Sequence, residues 1–255
     1  MVIALRTFVD THLHYYSVYD PDLWLDALSE NLRRASQERT PTDYAACLLD
    51  TDGHEFDALK NRRVIFKRWW LRPAECDSDA LVATNDLHHT VYLLRGQQWA
   101  TGEGLELAVT GPALDLSHHL SLEEYLSRCT RDHLAVLPWG AGKWWGRRGR
   151  VVCEALSRHR DGIFAGDNGG RPSWFRSRLL ENPAIRTLAG TDPLPFASDA
   201  NRVGSYASVL PGKLDASQPC RSFIELVNAA SPPIFAVGQR ISLSKFIISQ
   251  SRLRM

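Results

Sequence analysis

Short apolar segments alternate with helical segments along most of this chain, and this alternation constrains the fold more than any other feature. Most of the apolar segments end in Asp, His, Gly or Trp. Strands separated by helices usually pair in parallel, so the order predicts an α/β protein with a mainly parallel sheet. The length suits a closed β/α barrel, in which the carboxyl ends of the strands build the active site. The clearest of these strands are predicted at residues 44–49, 134–137, 162–166 and 186–190.

A doubly wound open sheet is the competing architecture. It is disfavoured because the Gly-x-Gly-x-x-Gly fingerprint is absent after the first predicted strand. Residues 91–111 depart from the alternation, since two apolar runs separated by glycines predict a hairpin there. A chain of 255 residues without internal repeats can bury one large core, so we expect one domain over residues 1–255.

The composition excludes several classes of protein. Charged residues make up 23% of the chain and the net charge is +1, which argues against nucleic acid as a partner. Five cysteines form no Cys-x-x-Cys pair and suggest no disulfide framework, so a reduced, cytoplasmic setting is expected. No signal peptide is apparent, and no apolar run approaches the roughly 20 residues of a membrane helix. We therefore expect no membrane contact.

The first predicted strand runs into an Asp-x-His-x-His motif. Side chains alternate along a strand, so Asp10, His12 and His14 should face the same way. Two imidazoles about 7 Å apart along a strand can converge on one metal ion or on two adjacent ones. A chance His-x-His is not rare in a chain with nine histidines, but this pair closes an apolar strand before a predicted helix. The motif predicts a polar site that binds a divalent metal.

A glycine- and tryptophan-rich loop at residues 138–149 is a second constellation. Its basic residues can hold a phosphate or a carboxylate, arginine in bidentate fashion. Its tryptophans can stack on a ring or a cation, or wall the site from water. Alternatively, the tryptophans pack the barrel mouth and the arginines are solvated. With two residues near later strand ends, the candidate anion-binding residues are Lys143, Arg147, Arg148, Arg171 and Arg202.

Several short motifs, spread over most of the chain, resemble those of the polymerase-and-histidinol-phosphatase (PHP) family. Residues 10–14 are similar to the opening His-x-His of the family. Residues 51–54, Thr-Asp-Gly-His, resemble its Thr-Asp-His with a glycine inserted, and residues 190–192 resemble its late Gly-Ser-Asp. The resemblance implies a distorted seven-stranded, TIM-like (β/α) barrel with a metal cluster for phosphoester hydrolysis.

The chain departs from the family pattern at three positions. Gln98 stands where the family places a metal-bridging glutamate, Leu194 replaces a histidine, and Pro138 keeps only half of a His-Pro pair. Glu103, on the predicted hairpin, can replace the missing carboxylate or lie solvated in the turn. The resemblance thus implies one or two ions of Zn, Mn or Fe, and leaves a metal-free barrel open. It gives as metal ligands His12, His14, Asp52, His54 and Asp192, to which Glu103 is added as the substitute carboxylate, and the candidate catalytic residues are Asp10 and Lys143.

The leading functional hypothesis is a PHP-like, metal-dependent hydrolase that acts on a phosphoester or a related anionic small molecule. An ion at the motif would lower the pKa of water, and basic residues at the strand ends would neutralise developing negative charge. An amidohydrolase-like enzyme is a second version of the same barrel. A degenerate barrel that binds an anionic ligand or a partner protein without turnover is the alternative from another class.

Overall fold

The computed structural model describes residues 5–37, 42–51, 53–159, 162–230 and 234–252. Within these ranges the strands are β1 (Arg6–Leu13), β2 (Thr42–Asp50), β3 (Trp69–Pro73), β4 (Ala80–Asn85), β5 (Thr90–Ala100), β6 (Glu106–Thr110), β7 (Leu134–Pro138), β8 (Ile163–Asn168), β9 (Thr187–Gly190), β10 (Tyr206–Pro211) and β11 (Phe235–Gly238). The helices are α1 (Pro21–Ser36), α2 (Glu55–Lys60), α3 (Leu122–Arg128), α4 (Gly146–Arg158), α5 (Pro219–Ala229) and α6 (Leu243–Arg252), with a 3-10 helix at Ala197–Arg202.

All eleven strands belong to one sheet, which curls into a nearly closed barrel. The order of neighbours is β11-β10-β1-β2-β5-β6-β7-β8-β9, and β4 joins β3 to β5 at the side. Strands β1, β2 and β5 run parallel to one another, as do β7, β8 and β9, whereas β6 runs antiparallel to both of its neighbours. The carboxyl ends of six strands therefore meet at one rim, which we call the barrel mouth.

The structure corrects two features of the predicted barrel. The sheet has eleven strands rather than seven, because the β3–β4 hairpin and the antiparallel β10–β11 pair extend it. The sheet is not mainly parallel either, since six of its ten described pairings are antiparallel. The hairpin predicted at residues 91–111 is confirmed as β5 and β6. The barrel-like α/β character stands, and a single domain over residues 1–255 stays a prediction.

Closure of the barrel brings β9 against β1 without a regular ladder between them. The backbone amide of Asp192 donates to the carbonyl of His12 at 2.8 Å, and the Thr11 hydroxyl donates to the carbonyl of Ala189 at 3.0 Å. Gly190 makes this approach sterically feasible, because a Cβ at its position would lie 2.3 Å from the backbone nitrogen of His12. The two segments that carry the sequence motifs are thereby held side by side.

Seven neighbouring strands, β1, β2 and β5 to β9, form the wall of the barrel. One apolar cluster receives side chains from each of them, so this cluster fills the barrel interior. Its members include Val9 of β1 and Phe164 of β8, and α5 adds Phe223. A second cluster joins the outer face of β1 and β2 to α1 through Trp24, and a third packs α3 and α4 on β6 to β8. In the described parts of the chain, no helix has the length and apolar character needed to cross a membrane.

Candidate metal centre

The end of β1 contains a β-bulge, and both histidines of the opening motif face one point there. Asp10 pairs with Ala46 of β2 but Leu13 pairs with Leu48, so β1 contains one extra residue between them. His12 lies within the bulge and His14 beyond it, and their Nε2 atoms approach to 3.1 Å. Both side chains are buried. The convergence of the two imidazoles that the sequence predicts is therefore present in the structure.

Asp192 brings a carboxylate to the same point from the segment that follows β9. Its Oδ1 atom lies 3.5 Å from His12 Nε2 and 3.9 Å from His14 Nε2. Its backbone has a φ of 50°, in the left-handed region that aspartate adopts more readily than most residues. We call His12, His14 and Asp192 the trio.

Surrounding hydrogen bonds fix the orientation of His14. Its Nδ1 donates to the carbonyl of Leu49 at 2.7 Å, so the lone pair of a neutral ring lies on Nε2, the atom that faces the trio. The Trp24 indole on α1 donates to the His14 carbonyl at 3.2 Å. Burial, and then the nearby His12, lowers the pKa of His14 to about 4. His14 is thus held as a neutral ligand at neutral pH.

Asn168, at the end of β8, orients the carboxylate of Asp192. Its side-chain nitrogen donates at 2.6 Å both to Asp192 Oδ2 and to the carbonyl of Trp139. The other oxygen of Asp192 is left to face the two imidazoles. In the sequence, Asn168 is marked only by its place after a predicted strand, in the polar run Asp-Asn-Gly-Gly, and this signal did not identify it as a site residue.

Asp10 does not join the trio, because its carboxylate binds backbone amides. It accepts hydrogen bonds from the amides of His12 at 3.1 Å, Thr191 at 2.7 Å and Gly204 at 2.9 Å. Complete burial raises the pKa of Asp10, and these hydrogen bonds oppose that rise. Asp10 thereby ties the end of β1 to the residue preceding Asp192, and its predicted catalytic role stays a prediction.

The trio fits a single divalent ion. Its three ligand atoms lie within 3.9 Å of one another, and two ligands with bonds of about 2.0–2.1 Å can stand up to about 4 Å apart around one ion. Two imidazoles and one carboxylate suit Zn, Fe or Mn. Three protein ligands leave a coordination position for water or substrate, which is typical of catalytic rather than structural metal sites.

A buried amide oxygen next to the trio adds to this fit. Among the residues that the structure describes, Asn168 Oδ1 finds no hydrogen-bond partner. Buried polar atoms are seldom left unpaired, so this oxygen calls for a water, an ion or a ligand group. Asn168 Oδ1 belongs to the side chain that holds Asp192.

The structure does not bring the remaining predicted metal ligands to the trio. Asp52 lies outside the described residues. His54 is exposed at the start of α2, and Glu103 accepts the amide of Leu122 at 3.1 Å, where it caps α3. Among the residues that the structure describes, the three of the trio form the one cluster with metal-ligand geometry.

Most of the predicted anion-binding residues have partners within the protein. Arg171 makes two hydrogen bonds of 2.8 Å to Asp167 and also donates to the carbonyl of Phe175. Lys143, the second candidate catalytic residue, pairs with Glu106. Both cations therefore already pair with carboxylates of the protein, Arg171 with Asp167 and Lys143 with Glu106.

The other three arginines remain closer to solvent or to the trio. Arg148 donates to the carbonyls of Gly104 and Gly142, and Arg147 is exposed at the start of α4. Arg202 pairs with Asp199 at 2.9 Å and lines a small cavity of about 70 Å³ together with Asp192 and Asn168. Arg202 is therefore the predicted cation that shares a cavity with Asp192 of the trio.

Tyr16 is a second site residue that the sequence analysis missed. It follows His14 at the same two-residue spacing as the motif, and the two rings lie 5.7 Å apart. Burial, followed by the negative charges of Asp192 and Glu106, raises the pKa of Tyr16. Its phenol is thus held protonated beside the trio and can donate a hydrogen bond.

Comparisons with known proteins identify similar folds at low sequence identity. No family model and no curated protein sequence matches the chain. The chain is similar to the crystal structure of PsfC from Pseudomonas syringae, with a TM-score of 0.55 and 16% identity over 98% of both chains. It is also similar to Endonuclease Q in complex with a 27-mer duplex substrate that carries an abasic lesion, with a TM-score of 0.51 and 14% identity over 86% of this chain.

A third similar structure is the lesion-specific endonuclease PfuEndoQ from Pyrococcus furiosus, with a TM-score of 0.53 and 12% identity over 90% of this chain. The matches cover only 56% and 57% of the two endonuclease chains. These neighbours have PHP-like folds. At these identities the comparisons show the fold alone, and they agree with the PHP-like barrel implied by the sequence motifs.

The expectation that nucleic acid is not a partner is wrong. It rested on the net charge of +1, yet one of the similar folds is an endonuclease bound to a DNA duplex. A net charge sums over the whole surface and does not report how cations are distributed on it.

Proposed function

We propose that this chain is a metal-dependent hydrolase that cleaves phosphoesters with one divalent ion held by His12, His14 and Asp192. The observation that carries the proposal is the approach of two Nε2 atoms and one carboxylate oxygen within 3.9 Å of one another. This donor set has three protein ligands and two nitrogens, so Zn, Mn or Fe is the expected ion.

The chain's own residues supply the rest of the site. A divalent ion lowers the pKa of water and polarises a phosphoryl oxygen. Tyr16, protonated beside the trio, donates a hydrogen bond to negative charge that develops there. Arg202, in the wall of the small cavity next to Asp192, contributes positive charge. Asp10 acts as a positioning residue, because it orders the backbone on both sides of the trio.

Two considerations favour a phosphoester over an amide or a lactone. The similar folds include endonucleases, one of them crystallised with a DNA substrate. In the described part of the chain no further histidine joins the trio, whereas the amidohydrolase-like alternative calls for additional histidines.

Hydrolysis of generic phosphoesters tests this proposal. The protein is stripped with a chelator, reloaded with Zn, Mn or Fe, and assayed on p-nitrophenyl phosphate and bis-p-nitrophenyl phosphate. The double variant His12→Ala, His14→Ala should lose at least about 100-fold in rate, because the ion loses two ligands. The matched control His118→Ala, His119→Ala removes two exposed histidines and should retain the rate.

Two results would contradict the proposal. Phosphoester hydrolysis that survives in the double variant would place the reaction elsewhere. A metal-loaded chain that hydrolyses neither substrate would favour a barrel that binds a ligand without turnover, and hydrolysis of amides or lactones instead would favour the amidohydrolase-like alternative.

A further inference from the structure

A groove lined by aromatic and arginine side chains lies beside the trio. Its walls come from the loop between β7 and α4 and from the segment that follows β8, and they enclose about 260 Å³. We call it the aromatic–arginine groove, and its defining residues are Trp139, Trp144, Trp145, Phe175, Arg176 and Arg178.

The aromatic rings form a row that continues onto the surface. The ring of Phe175 lies 5.7 Å from Trp139, 6.3 Å from Trp145 and 6.0 Å from the neighbouring Trp174, measured between centroids. Trp145 and Trp174 are 60% and 61% exposed, so the core does not use most of their surface. Large exposed indoles next to one another are typical of a binding surface rather than of packing.

The positive charge that flanks this row exceeds the negative charge paired with it. None of the defining residues is acidic, and Arg147 lies two residues beyond Trp145. Arg147 and Arg178 are exposed and form no ion pair with any residue that the structure describes, while Arg176 pairs with the exposed Glu181. The positive charge at the groove is therefore complementary to a polyanion such as the phosphate backbone of a nucleic acid.

The groove is continuous with the trio through Trp139. Trp139 lines both the groove and the small cavity that contains Asp192. Its carbonyl accepts a hydrogen bond from Asn168, whose side chain also binds Asp192. A ligand in the groove thus lies against Trp139, which is linked to Asp192 through Asn168.

We propose that the aromatic–arginine groove binds single-stranded nucleic acid and presents its phosphodiester backbone to the trio. Aromatic faces beside arginines hold unstacked bases and track the phosphates, whereas the bases of a duplex are not available for stacking. The inference rests on the proposed function. In the hydrolysis, the oxygen of water bonds to phosphorus, one P–O ester bond breaks, and the leaving oxygen receives a proton.

Fluorescence anisotropy with a labelled 15-nucleotide oligo-dT tests the groove without requiring turnover. The full chain is titrated in EDTA, and the double variant His12→Ala, His14→Ala is titrated alongside it. Trp145→Ala and Trp174→Ala should each weaken binding about 5- to 100-fold, the usual loss for a stacked base. The matched control is Trp70→Ala, because Trp70 is also 60% exposed but lies on β3. The Trp70→Ala variant should bind the oligomer like the unmodified chain.

The salt dependence gives an independent readout. Affinity falls with salt, so the slope of log affinity against log salt is negative. The double variant Arg147→Ala, Arg178→Ala should make this slope less steep by about 1.4, since each phosphate contact contributes about 0.7 on a single strand. Arg63→Ala, which removes an exposed arginine elsewhere, should leave the slope unchanged. A 15-base-pair duplex should bind more weakly than the single strand.

The outcomes separate the two proposals. Absence of oligo-dT binding, equal loss in Trp70→Ala, or a preference for the duplex would overturn the groove proposal. If the oligomer binds as expected but the chain retains no metal, the groove stands and the proposed hydrolase fails. If metal is retained and generic phosphoesters are cleaved but no strand binds, the hydrolase stands and the groove fails.

Discussion

His14 is neutral in the folded chain at pH values where the unfolded chain protonates it. Its pKa falls from an ordinary 6.5 to about 4 on burial beside His12. Between these pH values the unfolded state binds more protons than the folded state. The stability that depends on neutral His14 is therefore fully present above pH 6.5 and is lost as the pH falls toward 4. The loss attributable to His14 is at most roughly 3 kcal/mol.

Urea unfolding of the metal-free protein at pH 7 and pH 4.5 measures this contribution. His14→Gln removes the titrating group, so the stability of the variant should depend less on pH over this interval than that of the unmodified chain. His118→Ala serves as the control, since His118 is exposed. Equal pH dependence in all three proteins would show that His14 is not held neutral by folding.

Asp10 should matter for folding as much as for the site. In Asp10→Asn the amide oxygen can still accept from His12 and Thr191, but the NH₂ group then faces the backbone amide of Gly204, donor against donor. We expect a loss of about 1–3 kcal/mol in unfolding free energy, because a buried backbone donor is left without its acceptor, together with weaker metal binding. Chemical denaturation and metal titration measure the two effects. Unchanged stability with abolished activity would instead favour a catalytic role.

The sequence predicts single residues well where a local pattern decides their position. His12, His14 and Asp192 could be named because strand ends and short motifs mark them. Asn168 and Tyr16 could not, since their roles depend on contacts with residues distant in sequence, such as Asp192. The pairing of Arg171 with Asp167, which occupies a predicted anion-binding residue, also appears only in the folded chain.

At the scale of the elements, the site depends on how closely β9 approaches β1. Gly190→Ala would introduce a Cβ 2.3 Å from the His12 nitrogen and 2.6 Å from the His12 Cβ, so one of the two segments must shift. We expect a marked drop in thermal stability, or failure to fold, and loss of metal binding in any folded fraction. Thermal unfolding and metal titration check this.

Gly162→Ala is the matched control for Gly190→Ala. The nearest atom to its new Cβ would be the carbonyl oxygen of His159 at 3.9 Å, an ordinary contact. This variant should fold and bind metal like the unmodified chain. If Gly190→Ala behaves in the same way, the close approach of β9 to β1 is not required for the site.

Two features of the strands could not be predicted from the sequence. The end of β1 was predicted as a regular strand, in which Asp10 and both histidines share a face. A bulge of one residue changes that alternation, and nothing in the local sequence marks it. Likewise, β10 and β11 add antiparallel strands at the barrel edge, because pairing partners are decided by the tertiary fold.

At the scale of the whole molecule, the barrel mouth combines two surfaces of different chemistry. The trio is largely buried, whereas the aromatic–arginine groove next to it is open to solvent. The net charge of +1 conceals this arrangement, because Arg176 and Arg178 both line the groove and exposed arginines also occupy positions 147, 148 and 150 of α4. Local charge, rather than the total, decides which partner fits.

Metal stoichiometry tests the central claim most directly. The full chain is purified without chelators, incubated with Zn, Mn or Fe, freed of excess ion by gel filtration, and measured by elemental analysis. We predict about one ion per chain, held by three protein ligands, and less than about 0.1 in the double variant His12→Ala, His14→Ala. The control His118→Ala, His119→Ala should retain the ion. Less than about 0.1 ion in the unmodified chain with every metal, or full occupancy in the double variant, would contradict a metal centre at the trio.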